Sequence, residues 1–529
     1  MSNLPDVPEL TLGGMIEANA LARPEATALV AAGETMTFAA LAARARSLAA
    51  AFAALGLRHQ DRVAVLGRNS LGYCEVYAAC ERGGFIIATV NFRGTAQEVL
   101  HVLRDSDARL VIFDREYADL IRDLRTQLAS DVRYVVIGPA IDDAVSLDDL
   151  ASPEPAPIFY TDDLVYIIYT SGTTGVPKGC LIGQRGEVEK ARITAGDVRM
   201  SSADRILLTM PLFHIGARAM LNAQHWAGGT VIVHRDFSAA EVLSAVERER
   251  VTILHLAPTM VQMLLEEDGG HAHDLSSLRA IVYSASAMPP TVLAAAIQRF
   301  GPIFYQIYGL TEGIGTILSP EHHVVGGDER QTKRLKSIGV PSASVTVRIA
   351  DDQGAPLPDG EPGEMLLRTP TAMRGYWNQS AATIDTLRDG WLRTGDLGYR
   401  DSDGFLYLVD RKKDMVVSGG ENIYSREVEN ALTEHPAVKE AAVIGVPDPK
   451  WGEAVRAVVV LREGNTVTAE DLIGHVRARI ASYKKPRDVV FIDVLPKMAN
   501  GKIDKKTIRA VYGAYHPVSE GATFGQQSR

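Results

Sequence analysis

The 529-residue sequence has few cysteines and lacks any long apolar segment. Its three cysteines, Cys74, Cys80 and Cys180, form no CxxC pair, which argues against a disulfide-stapled fold and a cysteine zinc site and fits a reducing cytoplasm. No run approaches the roughly 20 apolar residues of a bilayer-spanning helix, so no integral membrane segment is expected. The start, Met1 to Asp6, has neither a basic nor an apolar region, so no secretory signal is expected.

An excess of positive charge is also missing. The formal net charge of −10 argues against general nucleic-acid binding, which needs a basic face to displace counterions. An anionic substrate stays compatible with this charge, because a few lysines and arginines can dominate the field inside one cleft. With 46% hydrophobic and 23% charged residues, the composition is that of a globular protein, and the length indicates several subdomains.

The first three quarters of the chain alternate helical and strand patterns. Leu41 to Leu55 predicts a helix that ends before Gly56, and Arg62 to Gly67 predicts a strand. This βαβ rhythm predicts mostly parallel sheets covered by helices. From Gly339 to Gly404 the pattern changes to short strands and Gly/Pro/Asp turns, which predicts a β-rich subdomain.

The last hundred residues have the pattern of a small α+β domain. Ser425 to Leu432 predicts a helix, followed by strands at Val438 to Val446 and Ala454 to Leu461. Thr468-Ala-Glu-Asp has the capping-box pattern and predicts a helix that runs to Ile480. The charged stretch from Asp410 to Asp414 is the predicted boundary between this domain and the rest of the chain.

The segment Tyr169-Thr-Ser-Gly-Thr-Thr-Gly-Val-Pro-Lys-Gly follows a predicted buried strand and carries the strongest chemical signal. Glycines let backbone N–H groups approach phosphate oxygens, hydroxyls add hydrogen bonds, and Lys178 supplies charge. It does not satisfy the Walker A pattern. From composition alone, such a segment is as compatible with a plain turn as with a phosphate-binding loop. As a full pattern, it resembles the phosphate-binding loop of the acyl-adenylate-forming superfamily, which includes acyl-CoA synthetases, peptide-synthetase adenylation domains and firefly luciferase.

The resemblance implies nucleotide contacts along the chain. Tyr308-Gly-Leu-Thr-Glu matches the second signature of the superfamily, in which the aromatic ring stacks on adenine, Thr311 contacts phosphate and Glu312 holds Mg²⁺. By itself, the Thr-Glu pair more often marks the start of a helix. The nucleotide-binding residues implied by the resemblance are Thr170, Ser171, Gly172, Thr173, Thr174, Gly175, Lys178, Tyr308, Asp396 and Arg411.

Three further matches lie near or beyond the predicted boundary. The resemblance implies that Asp396 and Arg411 contact the ribose and that Lys413 is the hinge residue. Gly419 and Gly420 match a loop that lines the pantetheine tunnel of coenzyme A. Lys502 matches the lysine that bridges the substrate carboxylate and the α-phosphate. The family more often has a threonine two residues before this lysine, where this sequence has Asn500. The difference from the family pattern is minor, because Gly501 and Lys502 are intact.

Five motifs in order imply the fold and the reaction. The implied architecture is α/β, with a large N-terminal domain (residues 1–410) of two α/β subdomains and a β-rich subdomain, a hinge at 411–414 and a small mobile α+β domain (415–529). The implied reaction is that of a cytoplasmic AMP-forming acyl-CoA synthetase, which uses ATP, Mg²⁺ and coenzyme A to convert a carboxylic acid to acyl-CoA through an acyl-adenylate. The predicted catalytic residues are Lys502, Glu312, Thr311 and His214.

The segment from Pro211 to Ala217 resembles the family segment beside the acyl pocket. It contains no aspartate to pair the ammonium group of an amino acid, so an amino-acid substrate is disfavoured. Small residues favour a fatty or other apolar acid. Arg218 lies four residues after His214 and could instead pair a second carboxylate, although a structural or solvated arginine is the more ordinary interpretation. The predicted pocket residues are His214, Ala217, Arg218, Met220, Ser284 to Ala287, Gly313 and Gly315.

Alternative functions share the same motifs. An acyl-adenylate ligase could load a separate carrier protein, although no fused carrier segment follows Lys502. A luciferase-like oxygenase is unsupported by any residue, and a catalytically silent binding protein is disfavoured because Lys502 and Glu312 are both present. The expected partners are a small carboxylic acid and coenzyme A, with a carrier protein or a homodimer left open.

Overall fold

A computed structural model describes residues 10–142, 144–153, 160–170, 177–267, 273–286, 288–419, 421–497 and 503–514. The helices of these residues are α1 Leu12–Ala22, α2 Phe38–Ala54, α3 Leu71–Gly83, α4 Ala96–Asp105, α5 Ala118–Arg125, α6 Gln184–Asp197, α7 Ile215–Trp226, α8 Ala239–Glu249, α9 Pro258–Glu267, α10 Pro290–Phe300, α11 Glu329–Arg334, α12 Ser380–Thr386, α13 Ser425–Thr433, α14 Ala469–Arg477 and α15 Lys505–Tyr512. None of these helices combines the length and the apolar character needed to cross a membrane.

Short strands alternate with the helices over the whole chain. The strands are β1 Thr27–Ala31, β2 Glu34–Thr37, β3 Arg62–Leu66, β4 Ile86–Thr89, β5 Leu110–Asp114, β6 Arg133–Ile137, β7 Val145–Ser146, β8 Leu164–Thr170, β9 Lys178–Gly183, β10 Arg205–Leu208, β11 Thr230–Val233, β12 Ile253–Leu256, β13 Ala280–Tyr283, β14 Phe304–Leu310, β15 Gly313–Leu318, β16 Val340–Pro341, β17 Thr346–Ala350, β18 Gly363–Arg368, β19 Gly375–Tyr376, β20 Leu387–Arg388, β21 Trp391–Arg400, β22 Leu406–Arg411, β23 Val416–Ser418, β24 Glu421–Ile423, β25 Val438–Asp448, β26 Gly452–Leu461 and β27 Asp488–Phe491.

Two large sheets are mostly parallel, as the βαβ rhythm predicts, with antiparallel strands at three of their four edges and the parallel strand β7 at the fourth. One has the order β16-β15-β14-β13-β12-β10-β11-β1-β2, and the other has the order β19-β9-β8-β4-β3-β5-β6-β7. Strands β4 and β5 are buried along their full length, because helices cover both faces of a parallel sheet. The largest apolar cluster contains residues from both sheets and from α1, α2, α3, α6 and α7.

The predicted β-rich segment forms a third sheet, of order β17-β18-β21-β20 with β22 beside β21. It is interrupted by the short helix α12, which sequence patterning did not predict. The fourth sheet has the order β24-β23-β26-β25, with β27 beside β26, and packs its apolar side chains with α13 and α14. The predicted α/β fold with a small α+β region is therefore confirmed.

Helix boundaries follow local side-chain chemistry. Thr37 caps α2 by accepting the amide of Ala40, and Thr468 caps α14 by accepting the amide of Asp471. Helix α14 ends at Arg477, three residues before the predicted Ile480. The full capping box at Thr468 does not form in this structure, because Thr468 Oγ1 donates to the Asp471 carboxylate at 2.7 Å.

The chain divides into two compact units. The first contains residues 1–348, 366–394 and 402–406, and the second contains residues 349–365, 395–401 and 407–529. The sequence predicts two domains, 1–410 and 415–529, with a hinge at 411–414. This division stays a prediction, because the two compact units are defined by contacts within each unit, whereas a mobile domain is defined by its motion.

Candidate active site

The antiparallel pair β8 and β9 positions both flanks of the predicted phosphate-binding loop. Thr170 pairs with Lys178 in register, so the two half-buried side chains stand at the open end of the hairpin. The predicted contacts Ser171, Gly172, Thr173, Thr174 and Gly175 lie outside the described residues.

Helix α4 contacts both flanks of the same hairpin, a feature that no sequence motif indicated. His101 Nε2 lies 3.2 Å from the carbonyl oxygen of Pro177, and the Tyr169 hydroxyl donates to Asp105 at 2.7 Å. The Trp377 indole N–H donates to the Asp105 carbonyl at 2.7 Å. These contacts tie the strand on each side of the loop to one helix.

Thr311 and Glu312 form the tip of a second hairpin, between β14 and β15. The register pairs Leu310 with Gly313, so the two residues are the turn itself. The ordinary interpretation of the Thr-Glu pair as a helix start is therefore wrong. A tight turn at a strand end holds the Glu312 carboxylate in a defined direction, because the ladder hydrogen bonds on both sides fix the backbone.

Tyr376 connects the two hairpins. Strand β19 pairs with β9 and places Tyr376 opposite Cys180. The Tyr376 hydroxyl donates to Glu312 Oε1 at 2.6 Å, and Lys178 Nζ lies 5.3 Å from the centre of its ring. Burial and then the adjacent Glu312 carboxylate raise the pKa of Tyr376, so the phenol stays protonated and acts as a donor. The lysine of the first motif and the glutamate of the second thus meet around one ring.

Glu312 fits the predicted magnesium role by its chemistry. Mg²⁺ prefers oxygen ligands and in nucleotide enzymes is bound through one or two carboxylates, substrate phosphates and water. Among the described residues no group of three or more histidine, cysteine, aspartate or glutamate side chains could hold a metal by itself. A single carboxylate at an open hairpin tip therefore suits an ion that arrives with the phosphates of ATP.

The Tyr308 ring packs on Gly315 across the β14–β15 ladder. A Cβ atom at Gly315 would lie 2.9 Å from Tyr308 Cδ1, and one at Gly313 would lie 3.0 Å from Leu392 Cδ2. The space beside both glycines is therefore filled by protein side chains in the structure. Their small size has a packing reason here, and their predicted place in the acyl pocket stays a prediction.

His214 directly precedes α7, where the predicted acyl-pocket segment leads into the helix, and its side chain makes no capping hydrogen bond. Its ring lies against Phe213, with centroids 4.1 Å apart. Ala217 and Met220 follow on α7 and are buried in the largest apolar cluster. Both side chains are closed off in the core, at 0% and 2% exposure, so the predicted acyl-pocket role of Ala217 and Met220, like that of His214, stays a prediction.

Arg218 does not have the open position that pairing with a substrate carboxylate requires. It is 2% exposed, ion-pairs with Glu81 and donates from Nε to the Tyr166 hydroxyl at 3.1 Å. Its guanidinium also lies 4.5 Å from the centre of the Tyr77 ring. Glu81, 137 positions earlier in the chain, already neutralises the charge of Arg218. The geometry therefore favours a structural role for Arg218 over pairing with a second substrate carboxylate.

Ser284 follows β13 and is half-buried, whereas the adjacent Ala285 is exposed. The Ser284 hydroxyl lies 2.8 Å from Nε2 of His255, the third residue of β12. Sequence reasoning missed His255, because a lone histidine inside an apolar strand carries no spacing signal. Ala287, the last residue of the predicted pocket segment, lies outside the described residues.

The predicted ribose contacts form an ion pair in the second compact unit. Arg411 Nε lies 3.0 Å from Asp396 Oδ1, and the side-chain exposure is 47% for the arginine and 6% for the aspartate. The predicted hinge residue Lys413 follows in a turn closed by the amide of Asp414 donating to the Arg411 carbonyl at 2.8 Å. The roles of all three predicted residues stay predictions.

Gly419 has a positive φ of 62° and packs on an indole ring. Its amide donates to the carbonyl of Trp451 at 2.8 Å, and a Cβ atom would lie 2.7 Å from Trp451 Cε3. Glycine is required here by both the backbone angle and the close approach. Gly420 and the predicted catalytic Lys502 lie outside the described residues.

The fold and these motifs are those of an adenylate-forming enzyme. The family described as AMP-binding enzyme matches residues 16–377, and the family described as AMP-binding enzyme C-terminal domain matches residues 427–502. The chain belongs to the AMP-binding enzyme family.

Individual relatives agree with this assignment. The chain is 39% identical to a feruloyl-CoA synthase from Amycolatopsis sp., over 93% of the chain and 96% of the relative. It is 37% identical to the medium/long-chain-fatty-acid–CoA ligase FadD8 of Mycobacterium tuberculosis, over 94% and 90%. Among solved structures, the amide bond synthetase McbA from Marinactinospora thermotolerans superposes with a TM-score of 0.86 at 31% identity, covering 95% of this chain and all of that one.

These findings confirm the predicted class. The chain is an AMP-forming acyl-CoA synthetase, an acid–thiol ligase that uses ATP, Mg²⁺ and coenzyme A.

Proposed function

We propose that the enzyme activates an apolar carboxylic acid, with an aryl-propenoic acid such as ferulate as the first candidate and a fatty acid as the second. The observation that carries this proposal is that Arg218, the arginine among the predicted acyl-pocket residues, is committed to Glu81. With the Arg218 guanidinium already paired, the predicted pocket residues that the structure describes favour an uncharged acyl group. The names of the feruloyl-CoA synthase and fatty-acid–CoA ligase relatives support these two candidates.

In the first step, a carboxylate oxygen of the acid attacks the α-phosphorus of ATP, and the bond to pyrophosphate breaks. Lys178 and Thr170 would contact the phosphates, and Glu312 would hold Mg²⁺ with Tyr376 orienting its carboxylate. The bound ion neutralises charge on the phosphates. Such preorganised charge accounts for much of the acceleration in phosphoryl and adenylyl transfer. We assign Lys502 to the bridge between the substrate carboxylate and the α-phosphate.

In the second step, the sulfur of coenzyme A attacks the acyl carbonyl, the acyl–phosphate bond breaks and AMP leaves. We assign Lys413 as the hinge that lets the small domain change its orientation between the steps, with Gly419 and Gly420 beside the pantetheine arm. Asp396 and Arg411 would hold the ribose. The thiol gives up its proton as the sulfur–carbon bond forms, and we assign no residue as the base.

The direct test is pyrophosphate release with Mg·ATP, in the presence and absence of coenzyme A, across aryl-propenoic, fatty, alicyclic and dicarboxylic acids. Each hit is followed by mass detection of the thioester. We expect release and acyl-CoA with apolar acids, and no release from the Glu312→Gln control. A preference for dicarboxylic acids would contradict the proposal. Acyl-AMP without acyl-CoA would indicate that the acceptor is a carrier protein or an amine.

Lys502→Ala separates the two steps. We expect adenylation to slow by at least about 10²–10³, the scale for loss of one preorganised charge-stabilising group, while thioester formation from supplied acyl-adenylate is much less affected. Equal loss in both half-reactions would contradict a change of orientation between them.

We further propose that the enzyme acts in the cytoplasm, where ATP and coenzyme A are supplied together. Fractionation of the native host tests this location. Light scattering of the purified protein, alone and with a carrier protein, tests the homodimer and the carrier complex that sequence reasoning left open.

A further inference from the structure

His255 and Ser284 lie at the carboxyl ends of neighbouring parallel strands. His255 pairs in register with Val282 on β13, and Ser284 follows the last residue of that strand. Ligands of open α/β sheets bind outside the carboxyl ends of the strands. The pair therefore stands at the edge of the sheet where a substrate is expected.

The imidazole of His255 is neutral under ordinary conditions. Its side chain is buried, with 2% of the residue exposed, and burial lowers its pKa to about 4. Nε2 lies 2.8 Å from the Ser284 hydroxyl oxygen. Within the part of the chain that the structure describes, Nδ1 is fully buried and has no hydrogen-bond partner.

This arrangement determines which ring nitrogen carries the proton. A buried N–H without an acceptor is rarer and more costly than a buried acceptor without a donor. The network thus assigns the proton to Nε2, which donates to Ser284 Oγ. With its oxygen engaged as an acceptor, the serine hydroxyl has its own proton left to donate to a third group.

The His255–Ser284 pair lies beside the predicted acyl-pocket segment. A Cβ atom at Gly216, in the first turn of α7, would lie 3.8 Å from His255 Cε1, so the pair is adjacent to the segment that begins at His214. His255 is buried whereas Ser284 is half-buried. The serine hydroxyl, and not the imidazole, is therefore the group that a substrate can reach.

We infer that Ser284, oriented by His255, donates a hydrogen bond to a neutral oxygen on the acyl part of the substrate. This inference rests on the proposed function and narrows its substrate class to apolar acids that carry an ether, hydroxyl or carbonyl oxygen. Neither residue brings a full charge, so the pair does not complement a second carboxylate. Ser284 is the specificity-determining residue and His255 is its positioning residue.

The test compares acids that match in size but differ in one oxygen. The probes are 3- and 4-methoxycinnamate and the corresponding 3- and 4-ethylcinnamates, each assayed for pyrophosphate release with Mg·ATP and coenzyme A. A methoxy group only accepts hydrogen bonds, as a serine donor requires. We expect the wild-type enzyme to favour at least one methoxy acid over its ethyl partner by about tenfold in kcat/KM, as one hydrogen bond provides.

Variants then assign this preference to the pair. Ser284→Ala should remove most of the preference for the methoxy acid. It should lower kcat/KM for the methoxy acid and leave kcat/KM for the ethyl acid within about twofold of the wild-type value. His255→Leu should reduce the preference, and His255→Gln, which keeps an N–H donor, should retain more of it. Because the readout is a ratio within one preparation, partial unfolding of a variant does not change it.

Two matched controls lie outside the pair. Ser277 precedes β13 and donates to the Val251 carbonyl at 2.8 Å, and His225 is a second buried histidine, near the other end of α7. Ser277→Ala and His225→Leu should keep the wild-type ratio. Equal rates for both acids of each wild-type pair, or an unchanged ratio in Ser284→Ala, overturn the inference alone. The absence of pyrophosphate release with every acid overturns the proposed function as well.

Discussion

Two arginine–carboxylate pairs in this protein have the same chemistry and opposite surroundings. Arg218 and Glu81 are both buried, with side-chain exposures of 3% and 1%, whereas Arg411 is 47% exposed beside the buried Asp396. Tyr166 and Tyr77 complete the contacts of Arg218, so that pair is closed to a ligand. The open pair can exchange a protein contact for a ribose hydroxyl. Burial, and not the residue types, separates the structural pair from the candidate binding pair.

The largest effect should come from breaking the closed pair. Glu81→Gln or Arg218→Met should each destabilise the protein by about 3–5 kcal/mol, because the remaining charge is buried without its partner. The double variant Glu81→Leu/Arg218→Leu should be more stable than either single variant. Urea unfolding, monitored by tryptophan fluorescence, measures the free energy of unfolding of each variant and so ranks their stabilities. Equal losses in single and double variants would show that packing, and not the ion pair, carries the stability.

Buried histidines of this protein should stay uncharged, and this makes the stability of the fold depend on pH. Burial lowers the pKa values of His225 and His323 to about 4, as it does for His255. Between about pH 6.5 and 4 the unfolded chain binds protons at these residues and the folded chain does not. Stability should therefore be full above pH 6.5 and fall by about 1.4 kcal/mol per pH unit for each histidine below it.

The variant His225→Gln tests this assignment. It should be less stable than the wild type at pH 7 but lose less stability between pH 6.5 and 4.5. An identical pH slope in the variant would contradict the assignment of His225 as a neutral buried base.

A smaller effect is expected at the hydrogen bond that orients Glu312. Tyr376→Phe should raise the Mg²⁺ concentration needed for half-maximal adenylation by roughly tenfold, the scale for one hydrogen bond to a charged group. The control Tyr407→Phe removes a hydroxyl of the second compact unit, which donates to the Asp401 carboxylate at a distance of 3.0 Å. If both variants respond equally, the Tyr376 contact has no specific part in holding the ion.

The smallest change in stability should come from the open pair. Arg411→Ala should alter the free energy of unfolding by no more than about 1 kcal/mol, because the half-exposed guanidinium of Arg411 is screened by solvent. It should nevertheless raise KM for ATP several-fold. The control Arg479→Ala removes an arginine of similar exposure, 41%, which pairs with the exposed Glu434 in the same unit, and it should leave KM unchanged. An unchanged KM in Arg411→Ala would contradict the ribose contact.

Local sequence determined the secondary structure and the order of the motifs. The alanine-rich stretch that predicts a helix over Leu41 to Leu55 forms α2 at Phe38–Ala54, and the strand predicted from Arg62 forms β3. These elements follow from apolar periodicity and from end-capping side chains, which act over a few residues. Motif order also sufficed for the enzyme class, because each motif is contiguous.

Only the tertiary structure decided which distant residues meet. Leu29 on β1 pairs with Val231 on β11, Tyr376 reaches Glu312, and Ser284 reaches His255. Sheet order and buried ion pairs depend on contacts between segments that are far apart in the chain, and no spacing in the sequence encodes them. For the same physical reason, the sequence left a substrate-binding role for Arg218 open beside the more ordinary structural one, and its buried partner Glu81, on another helix, favours the structural role.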